Sequence, residues 1–347
     1  MARSLRFPAR MMRTQLGRAV SVAAVLWAFI AVAEAPARGL AELGAGARAH
    51  VRVTDWARSN GFDVTWLRRG EALRIGNGTV ALVLRDGSRA VELDGVKVWL
   101  SYPVSIRADA AFVSALDMET AIEPILFPRK NSRALAVVAL DPGHGGKDKG
   151  YHKGAHQEKK YTLSLARELR SELERAGLRV VLTREADVNV GLAARTAIAR
   201  RRGAQLFVSL HFNSTAVGAQ SVRGAEVYCL TPVGGRSTNS RRSGSERDPG
   251  SRFNDESVLA AFHIQRALVK RLGMEDRGVR RAQFEVLRTA AMPAVLVEAG
   301  FMSHPVEGAK LRDASFRREL AKAIAAGIME YKRVTEGRAA RNRSESS

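Results

Sequence analysis

The stretch VVALDPGHGGKDKG, from Val137 to Gly150, is an apolar run that leads directly into a glycine-rich turn with one histidine, His144. Glycines let the backbone turn sharply and approach a ligand closely, and histidine is both the commonest metal ligand and the usual acid or base near neutral pH. In sheets built from such strands, ligands bind beyond the carboxyl ends of the strands. The stretch therefore predicts a buried strand with a functional site at its end.

Strand-like runs and helical periods alternate after Arg133, which favours an α/β fold. The predicted strands are Ala134–Leu140, Arg179–Thr183, Leu206–Leu210, Ala225–Leu230, Phe284–Leu287 and Ala294–Val297. Apolar residues spaced three and four apart predict helices between them, two of which stop at Gly177 and Gly273. Residues 134–333 are thus predicted to form a mostly parallel six-stranded sheet with helices on both faces.

A small β-rich (α+β) domain is predicted over residues 36–128, before a polar linker at 129–133. Apolar and polar residues alternate there, and Asp86-Gly87 and Asp94-Gly95 supply hairpin turns. A short helix is expected around Phe112 to Ile122. Trp56, Trp66 and Trp99 are interpreted as core residues, with stacking on sugar rings as the alternative.

The first 35 residues have the pattern of an export signal: scattered arginines, an apolar run from Ala19 to Ala33, and small residues that could be cleaved. An uncleaved membrane anchor is the alternative, although the apolar run is short for a span. We expect no stable membrane span once the signal is removed. Residues 334–347 lack an apolar period and are predicted to be a disordered tail.

The chain of 347 residues is strongly basic, with 56 Lys and Arg against 35 Asp and Glu and a formal net charge of +21. The charge is spread along the chain, and an exported basic protein meets anionic surfaces such as a bacterial cell wall. No nucleic-acid-reading motif is present, so we expect no nucleic-acid partner. Cys229 is the only cysteine, which excludes an intrachain disulfide.

Four residues are candidates for chemistry because the predicted strands bring them to one edge of the sheet. His144 follows the first strand, His211 follows the third, Glu298 ends the sixth, and Glu158 begins the helix after the first loop. Two histidines and one carboxylate suit zinc and leave a position open for water. A second carboxylate, held off the metal, could carry a proton from the water to a leaving amine.

The remaining histidines are interpreted as not catalytic. His152 and His156 flank the glycine-rich loop among charged residues, which favours an exposed position, whereas His263 on a helix and His304 before a proline are expected to be structural. The chain also lacks a phosphate-binding loop, a G-x-S-x-G elbow and a cysteine nucleophile with a partner.

From Ala136 to about Lys332 the chain resembles the zinc-dependent N-acetylmuramoyl-L-alanine amidases of bacterial cell-wall turnover and cell separation. The resemblance rests on several blocks in the family's order, among them DPGHGGKDKG, SLHFNS, GAEVYCL and AVLVEAGFMS. It implies that His144, Glu158 and His211 bind one Zn2+ ion and that Glu298 is the catalytic carboxylate. It also implies hydrolysis of the amide between N-acetylmuramic acid and L-alanine of peptidoglycan, in the periplasm or outside the cell.

Two segments depart from this family's pattern. His304 stands where asparagine is common. Some relatives carry an inserted helix that blocks the zinc until an activator displaces it, but the corresponding segment here, Pro232 to Phe253, is polar and glycine-rich without an apolar period. We therefore expect no blocking helix, and an activator protein is possible but not required.

The first domain is similar to the small domain at the amino end of copper amine oxidases, which is attached to many exported wall enzymes. Its best block is VELDGVKVWLSYPVSIRADAAFVSAL. It holds no histidine cluster, so the resemblance implies wall contact or targeting without copper chemistry. Two functions remain as alternatives for the whole chain: a zinc peptidase or deacetylase acting on another amide, and a non-catalytic wall-binding regulator.

Overall fold

A computed structural model describes residues 42–43, 49–130, 134–240, 242–245 and 247–336. The predicted export signal, most of the linker at 129–133 and residues 337–347 of the predicted tail lie outside the described residues. Within the described ranges, no helix is both long and apolar enough to cross a membrane.

The first part of the chain forms two antiparallel sheets with short helices. Its elements are β1 (Glu42–Leu43), β2 (His50–Arg52), α1 (Val53–Ser59), β3 (Asp63–Arg68), β4 (Ala72–Gly76), β5 (Ala81–Arg85), β6 (Ala90–Leu93), β7 (Val96–Trp99), β8 (Ser105–Arg107), β9 (Ala110–Ser114), α2 (Ala115–Asp117), a π-helical turn (Met118–Ile122) and α3 (Glu123–Leu126). The small sheet has the order β1-β2-β9-β8, and β3 to β7 form a meander. We call residues 49–130 the accessory domain.

Local signals in the accessory domain are mostly confirmed. Asp94 and Gly95 both adopt positive φ in the turn between β6 and β7, as a tight hairpin requires. The helix expected from Phe112 begins later than predicted, because Phe112 to Ser114 still pair with β2 as part of β9. The helix begins after Ser114, whose side chain accepts a hydrogen bond from the Asp117 N–H. Ser114 therefore acts as the helix N-cap.

The second part of the chain has the predicted α/β architecture. Its elements are β10 (Val137–Pro142), β11 (His152–Lys153), β12 (His156–Gln157), α4 (Glu158–Arg175), β13 (Arg179–Leu182), α5 (Leu192–Arg201), β14 (Leu206–Asn213), β15 (Ala225–Leu230), a 3-10 turn (Pro249–Phe253), α6 (Asn254–Leu272), β16 (Asp276–Ala282), α7 (Glu285–Arg288), β17 (Ala294–Phe301), α8 (Pro305–Arg312) and α9 (Ala314–Glu336). We call residues 134–336 the α/β domain.

Six strands of the α/β domain lie in the order β13-β10-β14-β17-β15-β16. Every neighbouring pair is parallel except β17 with β15. Helices α4, α6 and α9 contribute to one buried cluster, and α5 and α7 to another. The predicted mostly parallel six-stranded sheet with helices on both faces is therefore confirmed.

One predicted strand and the predicted end of the last helix are wrong. The fifth strand is not Phe284–Leu287, most of which lies in the short helix α7, but Asp276–Ala282. That segment, DRGVRRA, gives no apolar signal because arginines stand where a buried strand usually has apolar residues. Arg281, only 2% exposed, donates to the Leu230 carbonyl on β15 and to Asn254 on α6. The last helix also continues past residue 333 to Glu336, since Thr335 is buried and bonds back to the Tyr331 carbonyl.

The accessory domain continues the sheet of the α/β domain. Val98 of β7 pairs in parallel with Val279 of β16, so β3 to β7 extend the six strands into one sheet of 11. Both valines, with Leu73 and Phe262, belong to a single buried cluster that runs through both domains. Trp56 is core as predicted, whereas Trp66 and Trp99 are half-buried.

His263 on α6 gives the fold a pH-dependent stability. Burial lowers the pKa of this imidazole to about 4, against an ordinary value of 6.5. The unfolded chain therefore binds a proton that the folded chain excludes, and stability falls as the pH drops from 6.5 towards 4. Over this pH range we expect the free energy of unfolding of the wild type to fall by on the order of 3 kcal/mol more than that of the His263→Phe variant.

Urea unfolding at pH 7 and pH 4 measures this difference. His152→Phe is the control, because His152 is exposed on the β11–β12 hairpin. Equal acid sensitivity of wild type and His263→Phe would show that His263 does not control it.

Candidate metal centre and active site

Four elements of the α/β domain place the predicted site residues. His144 lies in the turn after β10 with a φ of 62°, a backbone conformation rare for residues other than glycine. Glu158 is the first residue of α4. His211 lies within β14 and Glu298 within β17, although both were expected at or after the strand ends. Each strand continues beyond its site residue, through the buried Phe212 and Ala299 respectively.

Three of these residues converge on one point. The candidate ligand atoms of His144, Glu158 and His211 all lie within 4.8 Å of one another. Oε1 of Glu158 is 3.0 Å from Nε2 of His144 and 3.1 Å from Nδ1 of His211. Two imidazoles and a carboxylate are donors that zinc accepts, so the residues fit the ion that the sequence predicts.

Glycines make room for this group. A Cβ on Gly143 would lie 2.3 Å from the His211 ring, and one on Gly150 would lie 2.5 Å from Oε2 of Glu158. Both distances are shorter than real Cβ contacts. The glycines of the opening motif are therefore needed for close packing around the ligands as well as for turning the chain.

Hydrogen bonds orient the ligand side chains. Nδ1 of His144 is 2.8 Å from Asp148, which leaves Nε2 to face the centre. Oε2 of Glu158 accepts from the Tyr151 N–H, and Oε1 from the Phe212 N–H. Burial by itself would raise the pKa of Glu158, but hydrogen bonds with the two histidines hold it well below its ordinary value, so the carboxylate is ionised and ready to bind a cation.

Glu298 has a different environment. It lines the same cleft and pairs with His211 in the sheet register, yet its buried Oε2 has no hydrogen-bond partner among the described residues. Burial, followed by the charges of Glu158 and Glu226, raises the pKa of Glu298 well above its ordinary value. An unpaired carboxyl group with raised proton affinity is suited to accept and return a proton.

The cleft has a volume of about 520 Å3. Polar and apolar side chains line it together with the four candidate residues, among them Asn189, Leu192, Asn213, Phe284, Glu285 and Val286. The segment mistaken for a strand, Phe284–Leu287, thus supplies part of this wall.

Two buried arginines support the His144 turn, and the sequence did not reveal them. Arg195 donates to Asp141 (2.7 Å) and to the carbonyls of Pro142 and His144 (2.9 and 2.8 Å). Arg184 donates to the carbonyls of Pro142 and Gly143. These arginines come from distant segments, so no local pattern links them to the turn.

Replacing Arg195 with lysine should weaken zinc binding about 10- to 100-fold. Lysine keeps a positive charge beside Asp141, but a single ammonium group cannot hold Asp141, Pro142 and His144 in the fork geometry of a guanidinium. Competition with a chromophoric chelator measures the affinity. Arg200→Lys, an exposed change on the same helix, is the control; equal affinities of the two variants would contradict the role of Arg195.

The other histidines lie outside the cluster. His152 and His156 are exposed in the β11–β12 hairpin, where Nδ1 of His156 lies 2.6 Å from the Tyr161 hydroxyl. His304 caps α8, and its ring accepts from the Glu307 N–H. This cap is a structural role, as expected.

Glu226 is a further buried glutamate, which was not selected from the sequence. It is 2% exposed in β15, directly opposite Glu298 in the antiparallel register. The signal was present in GAEVYCL: a charge inside an apolar run is costly unless it is paired or functional, the same argument that selected Glu298.

A mostly parallel α/β sheet with a His/Glu/His cluster beside an unpaired glutamate has the make-up of a metal-dependent hydrolase. The sequence model of the family Amidase_3, described as N-acetylmuramoyl-L-alanine amidase, matches residues 138–330, more than half of the chain. The chain therefore belongs to the N-acetylmuramoyl-L-alanine amidase family, as the resemblance predicted.

The chain is similar to individual proteins that carry the same family name. The chain is 38% identical over 220 residues to the N-acetylmuramoyl-L-alanine amidase AmiC of Neisseria meningitidis serogroup B, covering 56% of this chain and 52% of AmiC. It is 31% identical over 227 residues to AmiA of Escherichia coli K12, covering 58% of this chain and 78% of AmiA. A solved structure, AmiC2 of Nostoc punctiforme, is 33% identical with a TM-score of 0.48, covering 58% and 98% of the two chains. The chain thus spans about half the length of AmiC.

Proposed function

We propose that this protein hydrolyses the amide between N-acetylmuramic acid and L-alanine of the peptidoglycan stem peptide, with one Zn2+ ion bound by His144, Glu158 and His211. The observation that carries the proposal is the convergence of these three ligands beside Glu298 in one cleft, in a chain of the amidase family. The relatives' names supply the substrate class.

Each residue has a defined task in this reaction. The ligand atoms are Nε2 of His144, Nδ1 of His211 and Oε1 of Glu158, the atoms that the structure turns towards one another. When bound, zinc would act as a Lewis acid on the scissile carbonyl and make the attacking water more acidic. Asp148, through Nδ1 of His144, keeps that ring in the tautomer whose Nε2 can bind.

Glu298 moves the proton. As a C–O bond forms between water and the carbonyl carbon, the carboxylate accepts the proton that the water loses. It then delivers this proton to the nitrogen as the C–N bond breaks, which gives a free lactyl carboxylate and an L-alanine amine. The raised pKa of Glu298 suits both steps, because burial strengthens the hold of the carboxylate on the proton that water loses, and the resulting carboxylic acid can return that proton to the nitrogen.

Mass spectrometry of purified peptidoglycan after digestion by the protein tests the proposal. Free stem peptides that begin with L-alanine should appear with zinc and should be lost with a chelator. Peptides cleaved at another amide would indicate a zinc peptidase, loss of acetyl groups a deacetylase, and wall binding without cleavage a regulator.

We expect the purified chain to be active without an activator. In the described part of 232–253 the only helix is the 3-10 turn Pro249–Phe253, and no described residue of this segment lines the cleft. The segment is tied instead to the accessory domain, where the Tyr102 hydroxyl donates to the Gly234 carbonyl. A purified protein that stays silent until a wall extract or partner is added would contradict this expectation; initial rates with and without such an extract decide it.

The proposed setting is the periplasm or the outside of the cell, where an export signal would deliver the protein. A net charge of +21 favours residence on the anionic wall, with an attraction that weakens as salt rises. The accessory domain is proposed to add wall contact, in line with its resemblance to domains of exported wall enzymes.

A further inference from the structure

We propose that the accessory domain is a positioning element of the active site, which acts from Trp99 through Arg280 and Glu226 on the placement of Glu298. This inference rests on the amidase function proposed above, in which Glu298 moves the proton. Trp99 and Glu226 are positioning residues, because neither is placed to touch the substrate.

The first link joins the two glutamates. Glu226 of β15 and Glu298 of β17 are direct partners at the antiparallel junction of the sheet. Directly opposite side chains in such a pair lie on the same face with Cβ atoms about 4.5–5.5 Å apart, and like charges in this arrangement repel. The position of one carboxylate therefore limits where the other can lie.

The second link is the set of four hydrogen bonds that fixes the Glu226 carboxylate. Its Oε1 accepts from the Asn213 amide (2.7 Å) and the Tyr228 hydroxyl (2.8 Å), and its Oε2 from Arg280 (2.6 Å) and Arg277 (3.1 Å). The Glu226 side chain, which accepts all four hydrogen bonds, is only 2% exposed. Oε2 of Glu226 is thus held towards the arginines of β16 and Oε1 towards Asn213 and Tyr228, and none of these bonds goes to Glu298, whose Oε2 has no partner among the described residues.

The third link is Trp99 of the accessory domain. The Arg280 guanidinium carbon lies 5.1 Å from the centre of the Trp99 ring, within the range of a cation–π contact. The Trp99 indole N–H also donates to the Arg277 carbonyl at 2.9 Å. One residue of the accessory domain therefore contacts both arginines that hold Glu226.

The two domains pack closely around Trp99, so the neighbouring residues have little room to adjust when Trp99 is replaced. Gly278, between the arginines, has a φ of 93°, and a Cβ there would lie 2.9 Å from both Lys97 and Trp99. The Lys97 N–H donates to Asp276 at 2.6 Å, and its ammonium group donates to the Asp276 carbonyl at 3.0 Å. Tight contacts with the accessory domain therefore lie directly before and directly after Arg277, at Asp276 and Gly278.

The test compares Trp99→Ala with Trp66→Ala in the full chain. Trp66 is a matched control, because it is also a half-buried tryptophan of the accessory sheet but lies in β3, at the edge away from β16. We expect Trp99→Ala to lower kcat about tenfold, the effect of losing a contact of this kind, with KM and zinc content unchanged. Trp99→Phe should restore part of the rate, since it keeps a ring under Arg280.

Glu226→Gln should lower kcat in the same way, again with zinc retained. Hydrogen–deuterium exchange supplies a readout that needs no activity: uptake in residues 225–230 should rise in Trp99→Ala and stay at the wild-type level in Trp66→Ala. Equal kcat and equal exchange in the two tryptophan variants would overturn the inference. A wild type that releases no stem peptides would refute the proposed function instead, and the exchange comparison would still decide whether Trp99 holds β15.

Discussion

Replacing Glu298 with glutamine is expected to lower kcat by about 10²- to 10⁴-fold, the usual contribution of a positioned acid–base group, while the zinc content should stay at the wild-type level. Glutamine has nearly the same shape but cannot carry the proton from water to the leaving nitrogen. Because Oε2 of Glu298 has no partner among the described residues, the change breaks no hydrogen bond at that atom. Steady-state rates on a muramyl peptide and metal analysis of the same samples give both quantities.

Glu285→Gln is the matched control for this variant. Glu285 lines the same cleft and is exposed, so its replacement alters the charge of the cleft without touching the proposed proton carrier. We expect it to retain most of the wild-type rate. An undiminished rate in Glu298→Gln, or an equal loss in both variants, would refute the role assigned to Glu298.

His211→Ala is expected to lose zinc and turnover together. The two remaining ligands, His144 and Glu158, leave the ion with fewer than the three protein ligands that a hydrolytic zinc site uses. The rate should fall to that of the chelator-treated wild type, and added zinc should not restore it at concentrations that saturate the wild type. Metal content after dialysis and the rate as a function of added zinc provide the measurement.

His156→Ala serves as the control, because His156 is an exposed histidine of the adjacent hairpin and lies outside the ligand cluster. It should keep both zinc and activity. A His211→Ala protein that retained one equivalent of zinc after dialysis would show that His211 is not a ligand.

Much of the α/β domain could be predicted because its strands carry local signals. Ala225–Leu230 is found with its predicted bounds, since apolar residues and a strand-like composition mark both of its ends. The strand Asp276–Ala282 was missed for the opposite reason. Its arginines are held by the Glu226 carboxylate on β15 and by hydrogen bonds such as that from Arg281 to Asn254 on α6, and no local period reports partners that lie on other elements.

The same distinction applies to the site. His144, Glu158, His211 and Glu298 could be selected because each stands at a strand or helix boundary of the predicted fold, where chemistry is expected. Arg195 and Glu226 act through contacts with residues that are distant in sequence or on a neighbouring strand. The hydrogen bond from Arg195 to the His144 carbonyl, for example, joins residues 51 positions apart. Such contacts depend on the packed structure and leave no pattern of spacing.

The continuous sheet also determines how the enzyme would work on a solid substrate. Since β7 and β16 pair and one buried cluster runs through both domains, the accessory domain cannot swing on its linker as a tethered anchor would. Five strands at a spacing of about 4.8 Å carry it roughly 24 Å sideways from β16. A molecule bound to the wall through its accessory domain would therefore cleave stem peptides only at one fixed distance from its binding point. It would have to dissociate from the wall before it could reach another stem peptide.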